Sequence, residues 1–297
     1  MPELPEVEVV RRGLERHAVG RHLNRVQVWH PRAARNQPGG GAALEQALEG
    51  ATLTGAHRRG KFLWLSTDRQ EHLLVHLGMS GQMLIKNHPE SHPHLRASAR
   101  LSPVGSSGVD STGPNEEAGQ EQATWLYFID QRTFGYWRAT PADEQGVPLP
   151  VAHIARDLLD PVLDIPALAR RIKARPTEIK RLLLNQEVVS GIGNIYADEM
   201  LWAARLHGRQ RASRVSLARL EELLWAGREV MERALEQGGT SFDSLYVNVN
   251  GESGYFDVSL HAYGRHGQPC HRCGAEMRRE AFMNRSSHFC PECQRPR

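Results

Sequence analysis

Cysteine is nearly absent from this 297-residue chain: there are four, and all lie at or after Cys270. That excludes a disulfide framework running through the fold and points to one local task for the four thiols. No apolar run approaches the ~20 residues of a membrane span. No basic stretch leading into an apolar core precedes the first helix-like segment either, so a soluble, intracellular, cytoplasmic protein without membrane contact is expected. Charge of either sign is not in large excess. The net charge is +3, so any nucleic-acid footprint has to be local. Residues 102–123 contain no Lys or Arg, four acids (Asp110, Glu116, Glu117, Glu121) and little to bury. This stretch is expected to be a disordered loop whose acids make it a poor surface for any polyanion.

What is present begins at the first eight residues, Met1-Pro2-Glu3-Leu4-Pro5-Glu6-Val7-Glu8. Removal of the methionine ahead of a small proline leaves a secondary amine at the chain end. A terminal amine has a reference pKa of about 7.7–8.0 against about 10.4 for lysine, so far more of it is unprotonated near neutrality. Beside a carboxylic acid it can attack an electrophilic carbon while the acid protonates the leaving side. A carbonyl-type adduct with a secondary amine is a charged iminium, an electron sink for later eliminations. Helix chemistry explains part of the same stretch. Pro5 suits a first turn, acids complement the helix dipole, and Val7, Val10 and Leu14 share one face. It does not explain Pro2-Glu3.

The length allows two domains. Short runs rich in branched and aromatic residues at 25–30, 61–66, 72–77 and 124–130 read as strands. Many short strands between turns suggest a β-sandwich or barrel. A Pro/Gly/acid segment at 141–150 reads as a linker. Helical periodicity follows over 166–174, 176–186, 194–206 and 217–237, and strand-like pieces return at 244–249 and 255–263.

Four constellations carry chemistry. Cys270-x2-Cys273 and Cys290-x2-Cys293 have the spacing of a closed tetrahedral zinc site, whose job is folding; two disulfides are the competing explanation. The basic loop between the knuckles can offer Arg285 to a phosphate, which makes nucleic acid the leading partner. Gly191-Ile-Gly193 before a helix start at Asn194 is suited to an anion and lies near Lys173, Arg175, Lys180 and Arg181, although a plain helix–helix turn fits too. Arg58-Arg-Gly-Lys61 runs into a strand, where Lys61 is either a solvated strand end or a phosphate holder. Met79, Arg132 and Phe134 fall at strand-to-turn positions. Core packing and insertion between bases are both open for them.

Taken in order, these motifs resemble bacterial formamidopyrimidine-DNA glycosylases from end to end: Pro2-Glu-Leu-Pro-Glu-Val-Glu8, Arg59-Gly-Lys61, His76-Leu-Gly-Met-Ser-Gly81, Asp130 to Gly135, Gly191-Ile-Gly-Asn-Ile-Tyr-Ala-Asp-Glu199, Tyr263-Gly-Arg265 and the zinc knuckles. The resemblance implies an α+β, two-domain fold. Its parts would be an N-terminal antiparallel β-sandwich with a leading helix (2–140), a linker (141–150), a helix–two-turns–helix domain (151–262) and a zinc-binding β-hairpin (263–297). It implies a bifunctional glycosylase and abasic-site lyase of base-excision repair. Pro2 would be the nucleophile at C1′, Glu3 the general acid/base, Glu6 a supporting group and Lys61 a phosphate holder. Met79, Arg132 and Phe134 would form a wedge, with Arg132 facing the orphaned cytosine. His92, Lys180, Asn194 and Arg285 would be further DNA contacts. One structural Zn2+ and no organic cofactor are implied. The implied partner is double-stranded DNA carrying oxidised purines or abasic sites, bound by a monomer at the bacterial nucleoid. The loop that closes over a flipped base is expected within 241–256.

The chain departs from the family pattern at Thr133, where a second arginine is usual, at Asn185 in place of aspartate, at Pro176 in place of a basic residue, and in the length of the 102–123 loop. Two other functions compete. An endonuclease VIII-like enzyme for oxidised pyrimidines usually begins Pro-Glu-Gly-Pro-Glu, which Leu4 argues against. A damage sensor without catalysis is argued against by intact Pro2, Glu3 and Lys61.

Overall fold

A computed structural model of the chain describes residues 2–103, 124–239, 249–250 and 260–295. The first helix, α1 (Leu4–His17), starts as its sequence dictates. Pro5 occupies the first turn, and the Glu6 carboxylate accepts the orphan N–H of Glu3 at 2.8 Å. One face of α1 then divides between two cores. Leu4 is buried among the helices of the C-terminal half, whereas Val7, Val10 and Leu14 are buried in the sandwich. Full burial of a side chain such as Leu4 contributes about 1.5–3 kcal/mol, so the chain start is fixed between the two halves.

The sandwich consists of two antiparallel four-stranded sheets. One is ordered β1-β6-β7-β5, from β1 (Arg21–Val28), β5 (Gly81–Lys86), β6 (Leu95–Pro103) and β7 (Thr124–Asp130). The other is ordered β2-β3-β4-β8, from β2 (Leu53–Arg59), β3 (Phe62–Thr67), β4 (Glu71–His76) and β8 (Tyr136–Pro141). Alternation decides which side chains meet. Leu63, Leu65, Leu73 and Val75 of the second sheet share a core with Ala97, Leu101, Leu126 and Phe128 of the first. A helix α2 (Gly40–Leu48) closes one side with Leu44 and Leu48.

Trp64 points to the outer face of the second sheet. There it packs with Leu74, Val147, Val151 and Ile154, so the segment expected as a linker folds back on the sandwich. The expected loop at 102–123 lies almost wholly outside the described residues. Its first two residues do not belong to it, because Ser102 and Pro103 pair with His22 and Arg21 as the end of β6.

The helical half contains α3 (Ile165–Lys173), α4 (Ile179–Leu183), α5 (Asn194–Ala203) and α6 (Leu217–Glu236). The helix expected over 176–186 is a single short turn. Thr177 and Glu178 instead pair with the 211–212 backbone, which keeps Pro176 outside the helix. Of the strand-like pieces near 244–249 and 255–263, most lie outside the described residues. Leu260 to Tyr263 is not strand: the N–H groups of His261, Ala262 and Tyr263 all go to the buried Glu199 carboxylate at 2.8–2.9 Å. The C-terminal hairpin pairs β9 (Arg278–Phe282) with β10 (Arg285–Phe289). Its two-residue turn puts Met283 and Asn284 at φ 46° and 59°, as a tight hairpin turn of this length requires.

Candidate functional site

The two halves meet where a largely enclosed arginine bridges them. Arg58, at the end of β2, donates to Glu8 of α1 at 3.0 Å and to Asp157 at 2.7 Å. The next turn fits because Gly60 has φ +56°, and a Cβ there would lie 2.7 Å from the Ser190 side chain. Its N–H also reaches Asp157 at 3.2 Å. Lys61 follows at once and is therefore held in the seam, buried rather than solvated.

Facing Lys61 is the start of the chain. Pro2 and Glu3 are buried. The Glu3 carboxylate lies on the N-terminus of α5, where it accepts from the N–H groups of Gly193 at 2.7 Å, Ile195 at 2.9 Å and Tyr196 at 3.3 Å. Free N–H groups and the dipole make a helix start the natural seat for an anion. Here the occupant is the chain's own acid. Gly193 is required for the approach, because a Cβ there would sit 2.4 Å from Glu3 Cδ. Burial pushes the Glu3 pKa above its ordinary value, opposed by the charge of Lys61 and by the helix N–H groups. Burial in turn pushes Lys61 down, opposed by Glu3 and reinforced by the charge of Arg285. Glu6 is anchored from its other side by the Tyr196 hydroxyl, which donates at 2.9 Å. The structure therefore brings Pro2, Glu3, Glu6 and Lys61 together, with Arg285 in electrostatic range.

The hairpin that carries Arg285 docks on α5 through Asp198. This carboxylate is fully buried and accepts from Ser287 Oγ at 3.2 Å, the His288 N–H at 2.9 Å and Lys180 Nζ at 2.5 Å. Asn194 Nδ2 donates to the Ser286 carbonyl at 2.7 Å. Lys180 was expected at a DNA surface; it is instead fully enclosed and bonded to Asp198 and the Ser286 carbonyl. Asn194, Tyr263, Arg279, Arg285, Ser286 and His288 line a recess of about 460 Å³ beside the hairpin. Arg285 itself is exposed.

The Met79 and Arg132–Phe134 turns pack on one another. Asp130, completely buried, accepts from Ser80 Oγ at 2.5 Å, the Arg132 N–H at 3.2 Å and the Gly135 N–H at 2.7 Å. Gly78 lies against the Phe134–Gly135 peptide, where a Cβ would approach to 2.4 Å. Phe134 is 43% exposed. The Arg132 guanidinium lies 5.7 Å from its ring centre, and Met79 is half-buried. Of the two alternatives left open by sequence, core packing does not describe Phe134. Thr133 takes φ +54°, a left-handed conformation that costs a branched residue about 1–3 kcal/mol. Its hydroxyl donates to the Arg132 carbonyl at 2.8 Å. His92 is exposed on the loop before β6, its ring accepting the His94 N–H at 3.1 Å.

Several residues of the site were not among the sequence candidates. His76 stands between Phe62 and Tyr136 near Lys61, and burial plus the Lys61 charge lower its pKa to about 4, so it is neutral at physiological pH. Its place in the His76-to-Gly81 motif was the available signal. Tyr196, Asp198 and Glu199 lie within the Gly191-to-Glu199 motif, but the motif does not declare what each one holds, since their partners are remote in sequence. Asn185 caps the turn after α4, its side-chain oxygen accepting the Glu187 N–H at 2.9 Å.

The four cysteine sulfurs lie within 4.8 Å of one another, with Cys273 and Cys290 Sγ 3.5 Å apart. Tetrahedral zinc with sulfurs at about 2.3 Å needs sulfur–sulfur edges of about 3.8 Å, so this donor set fits the ion. The knuckle is also supported from α5, where Trp202 Nε1 donates to Cys270 Sγ at 3.4 Å.

Comparison with known proteins places three family models along the chain. The formamidopyrimidine-DNA glycosylase N-terminal domain matches residues 1–137, the H2TH domain of the same enzymes matches 154–245, and the zinc finger found in FPG and IleRS matches 267–296. The formamidopyrimidine-DNA glycosylase of Corynebacterium efficiens is 60% identical over 306 residues, covering 100% of both chains. Lactococcus lactis Fpg bound to abasic-site DNA superposes with a TM-score of 0.82 at 29% identity, over 99% of each chain. A mutant of the same protein with Fapy-dG containing DNA gives 0.83 at 29% identity, over 99% of this chain and 100% of that one.

Proposed function

The chain belongs to the formamidopyrimidine-DNA glycosylase family, and from that premise we propose that it is a bifunctional enzyme acting through its N-terminal proline. Membership supports base-excision repair of oxidised purines. The observation that carries the finer reading is the Glu3 carboxylate, adjacent in sequence to Pro2, buried on the N-terminus of α5 and raised in pKa.

With Met1 removed, the neutral Pro2 nitrogen attacks C1′ of the damaged nucleotide. The bond from C1′ to the base breaks, and the base leaves with the proton released by the Pro2 nitrogen. Protonated Glu3 gives its proton to the sugar ring oxygen, the ring opens, and the nitrogen lone pair forms an iminium at C1′. The iminium withdraws electrons as the Glu3 carboxylate takes a C2′ proton, so the 3′ phosphate leaves by β-elimination. A second, δ-elimination releases the 5′ phosphate, leaving a one-nucleotide gap with phosphate ends. The raised pKa of Glu3 favours the protonated acid that the first steps need. Glu6 holds the Glu3 backbone N–H, and so the first turn, in place.

Lys61 and Arg285 supply positive charge near this centre, suited to phosphates that flank the lesion. Asn194, exposed His92 and the Met79, Arg132 and Phe134 wedge extend the same interface, with Phe134 and Arg132 filling the place of an extruded nucleotide. Lys180 serves this interface from beneath, by ordering the hairpin through Asp198. Cys270, Cys273, Cys290 and Cys293 would hold one zinc ion. The ion supplies folding energy to the hairpin and takes no part in the reaction. The enzyme would act as a monomer on nucleoid DNA in the cytoplasm, needing no organic cofactor. No helix among the described residues is long and apolar enough to cross a membrane.

The test is product analysis on end-labelled duplex DNA with 8-oxoguanine opposite cytosine. Base loss with strand cleavage to a 3′-phosphate end is expected, and neither with Pro2→Gly. Base loss that leaves the strand intact would refute the lyase steps.

A further inference from the structure

The loop from Arg132 to Gly135 is held from two sides. Beneath it, Asp130 takes N–H groups, those of Arg132 and Gly135. On the other side a single guanidinium takes the carbonyls. Arg35 NH1 donates to the Thr133 oxygen at 3.2 Å and the Gly135 oxygen at 2.9 Å, and NH2 donates to the Phe134 oxygen at 2.5 Å. The same guanidinium lies 5.1 Å from the Tyr136 ring centre. Arg32 adds a longer contact to the Thr133 oxygen at 3.4 Å.

Arg35 is itself well placed to act as a fixed point. It ends the short 3-10 helix Pro31–Ala34, whose Ala33 and Ala34 are each 2% exposed in the sandwich core. Two residues on, Gln37 Oε1 accepts the Ala139 N–H of edge strand β8 at 2.8 Å. The 30–37 segment therefore clips both the strand and the loop that leads into it. The loop contains an outlying Thr133, at φ +54°, and an exposed Phe134. Neither conformation is one the local sequence favours, so external hydrogen bonds have to select it.

We propose that Arg35 is the positioning residue of the DNA wedge: by gripping three successive carbonyls it sets the direction in which Arg132 and Phe134 are presented, and so controls discrimination of the base opposite the lesion. The planar fork is essential, because the ammonium of lysine cannot hold three carbonyls in one fixed arrangement. This inference rests on the wedge reading above.

The experiment compares kcat/KM on duplexes with 8-oxoguanine opposite cytosine and opposite adenine, for wild type, Arg35→Ala, Arg35→Lys, Arg132→Ala and the Arg35→Ala/Arg132→Ala double variant. Thermal melting confirms folding, and Arg35→Lys covers the case in which the alanine variant does not fold. Both Arg35 variants are expected to lose about ten-fold in discrimination, toward the lower end of what one bidentate base contact contributes. The double variant is expected to lose no more than Arg132→Ala alone. The salt dependence of binding should be unchanged.

A direct phosphate contact would instead weaken binding to all duplexes alike and reduce the logarithmic salt slope by about 1, which would overturn the proposal. Unchanged discrimination in the Arg35 variants, with a loss in Arg132→Ala, would overturn it while leaving the wedge reading intact. Unchanged discrimination in Arg132→Ala would remove the wedge reading and this inference with it.

Discussion

Adding one methyl group at Gly193 is expected to disable the active site without unfolding the protein. The built Cβ would lie 2.4 Å from both Glu3 Cδ and Oε1 and 2.8 Å from Cγ. Ordinary contact begins near 3.4 Å, so the carboxylate has to retreat by about 1 Å, and a misplacement of that size costs on the order of 10²-fold in rate. The retreat also breaks the bonds to the Gly193 and Ile195 N–H groups, at 2.7 and 2.9 Å. Overpacking of this kind costs about 1–3 kcal/mol in stability, a loss of several degrees in Tm that leaves the protein folded at room temperature. The assay is single-turnover release of 8-oxoguanine from duplex DNA by Gly193→Ala, alongside a thermal melt. A variant that melts a few degrees early yet excises at the wild-type rate would show that the seat of Glu3 on α5 has no part in catalysis.

Three further outcomes follow from the charge and metal sites. Glu8 is held ionised by Arg11 and Arg58 against the cost of burial, and its pKa falls from 4.5 to about 2, worth about 3 kcal/mol. Because the folded value lies below the unfolded one, that stability is present above pH 4.5 and lost as pH falls toward 2. Glu8→Gln should therefore be less stable at neutral pH, the gap to wild type closing across that window in denaturant titrations; a constant gap would refute the ion-pair origin. Lys180→Met should lose about 3–5 kcal/mol by stranding Asp198, with no change in the salt slope of DNA binding; a reduced slope at full stability would restore Lys180 to the DNA surface. Metal analysis should find about one zinc per chain, and chelation should abolish DNA binding with loss of the hairpin. Metal-free protein that still binds DNA would contradict a folding role for the ion.

What could be read from sequence was local. Four thiols with knuckle spacing, a proline–glutamate start and two glycines before a helix each declare their chemistry within a few residues. The sandwich was legible where strands are rich in branched and aromatic residues, as in β3 and β7. It was not legible in β2, interrupted by Gly55 and charges, or in β6, whose inward positions include the small Ala97 and Ala99. Long-range partners were hidden as well. Asp198 and Glu199 look like the polar face of α5, yet both are buried because one docks the hairpin and the other ends the 261–263 segment. Lys180 reads as a DNA contact for the same reason: its partner Asp198 is 18 positions away. Arg35 lies about a hundred positions from the loop it holds. Val7, Val10 and Leu14 share the sandwich core as their spacing implies, whereas Leu4, one turn earlier, is buried in the helical half, a division that helical periodicity does not reveal.

The central claim is that the nitrogen of Pro2 becomes covalently bonded to the damaged nucleotide. Borohydride reduction during turnover on 8-oxoguanine duplex, followed by proteolysis and mass mapping of the adduct, tests it most directly. The predicted result is a sugar remnant on the peptide that begins with Pro2, in protein whose intact mass lacks Met1. A remnant on Lys61, or active enzyme that retains Met1, would contradict it.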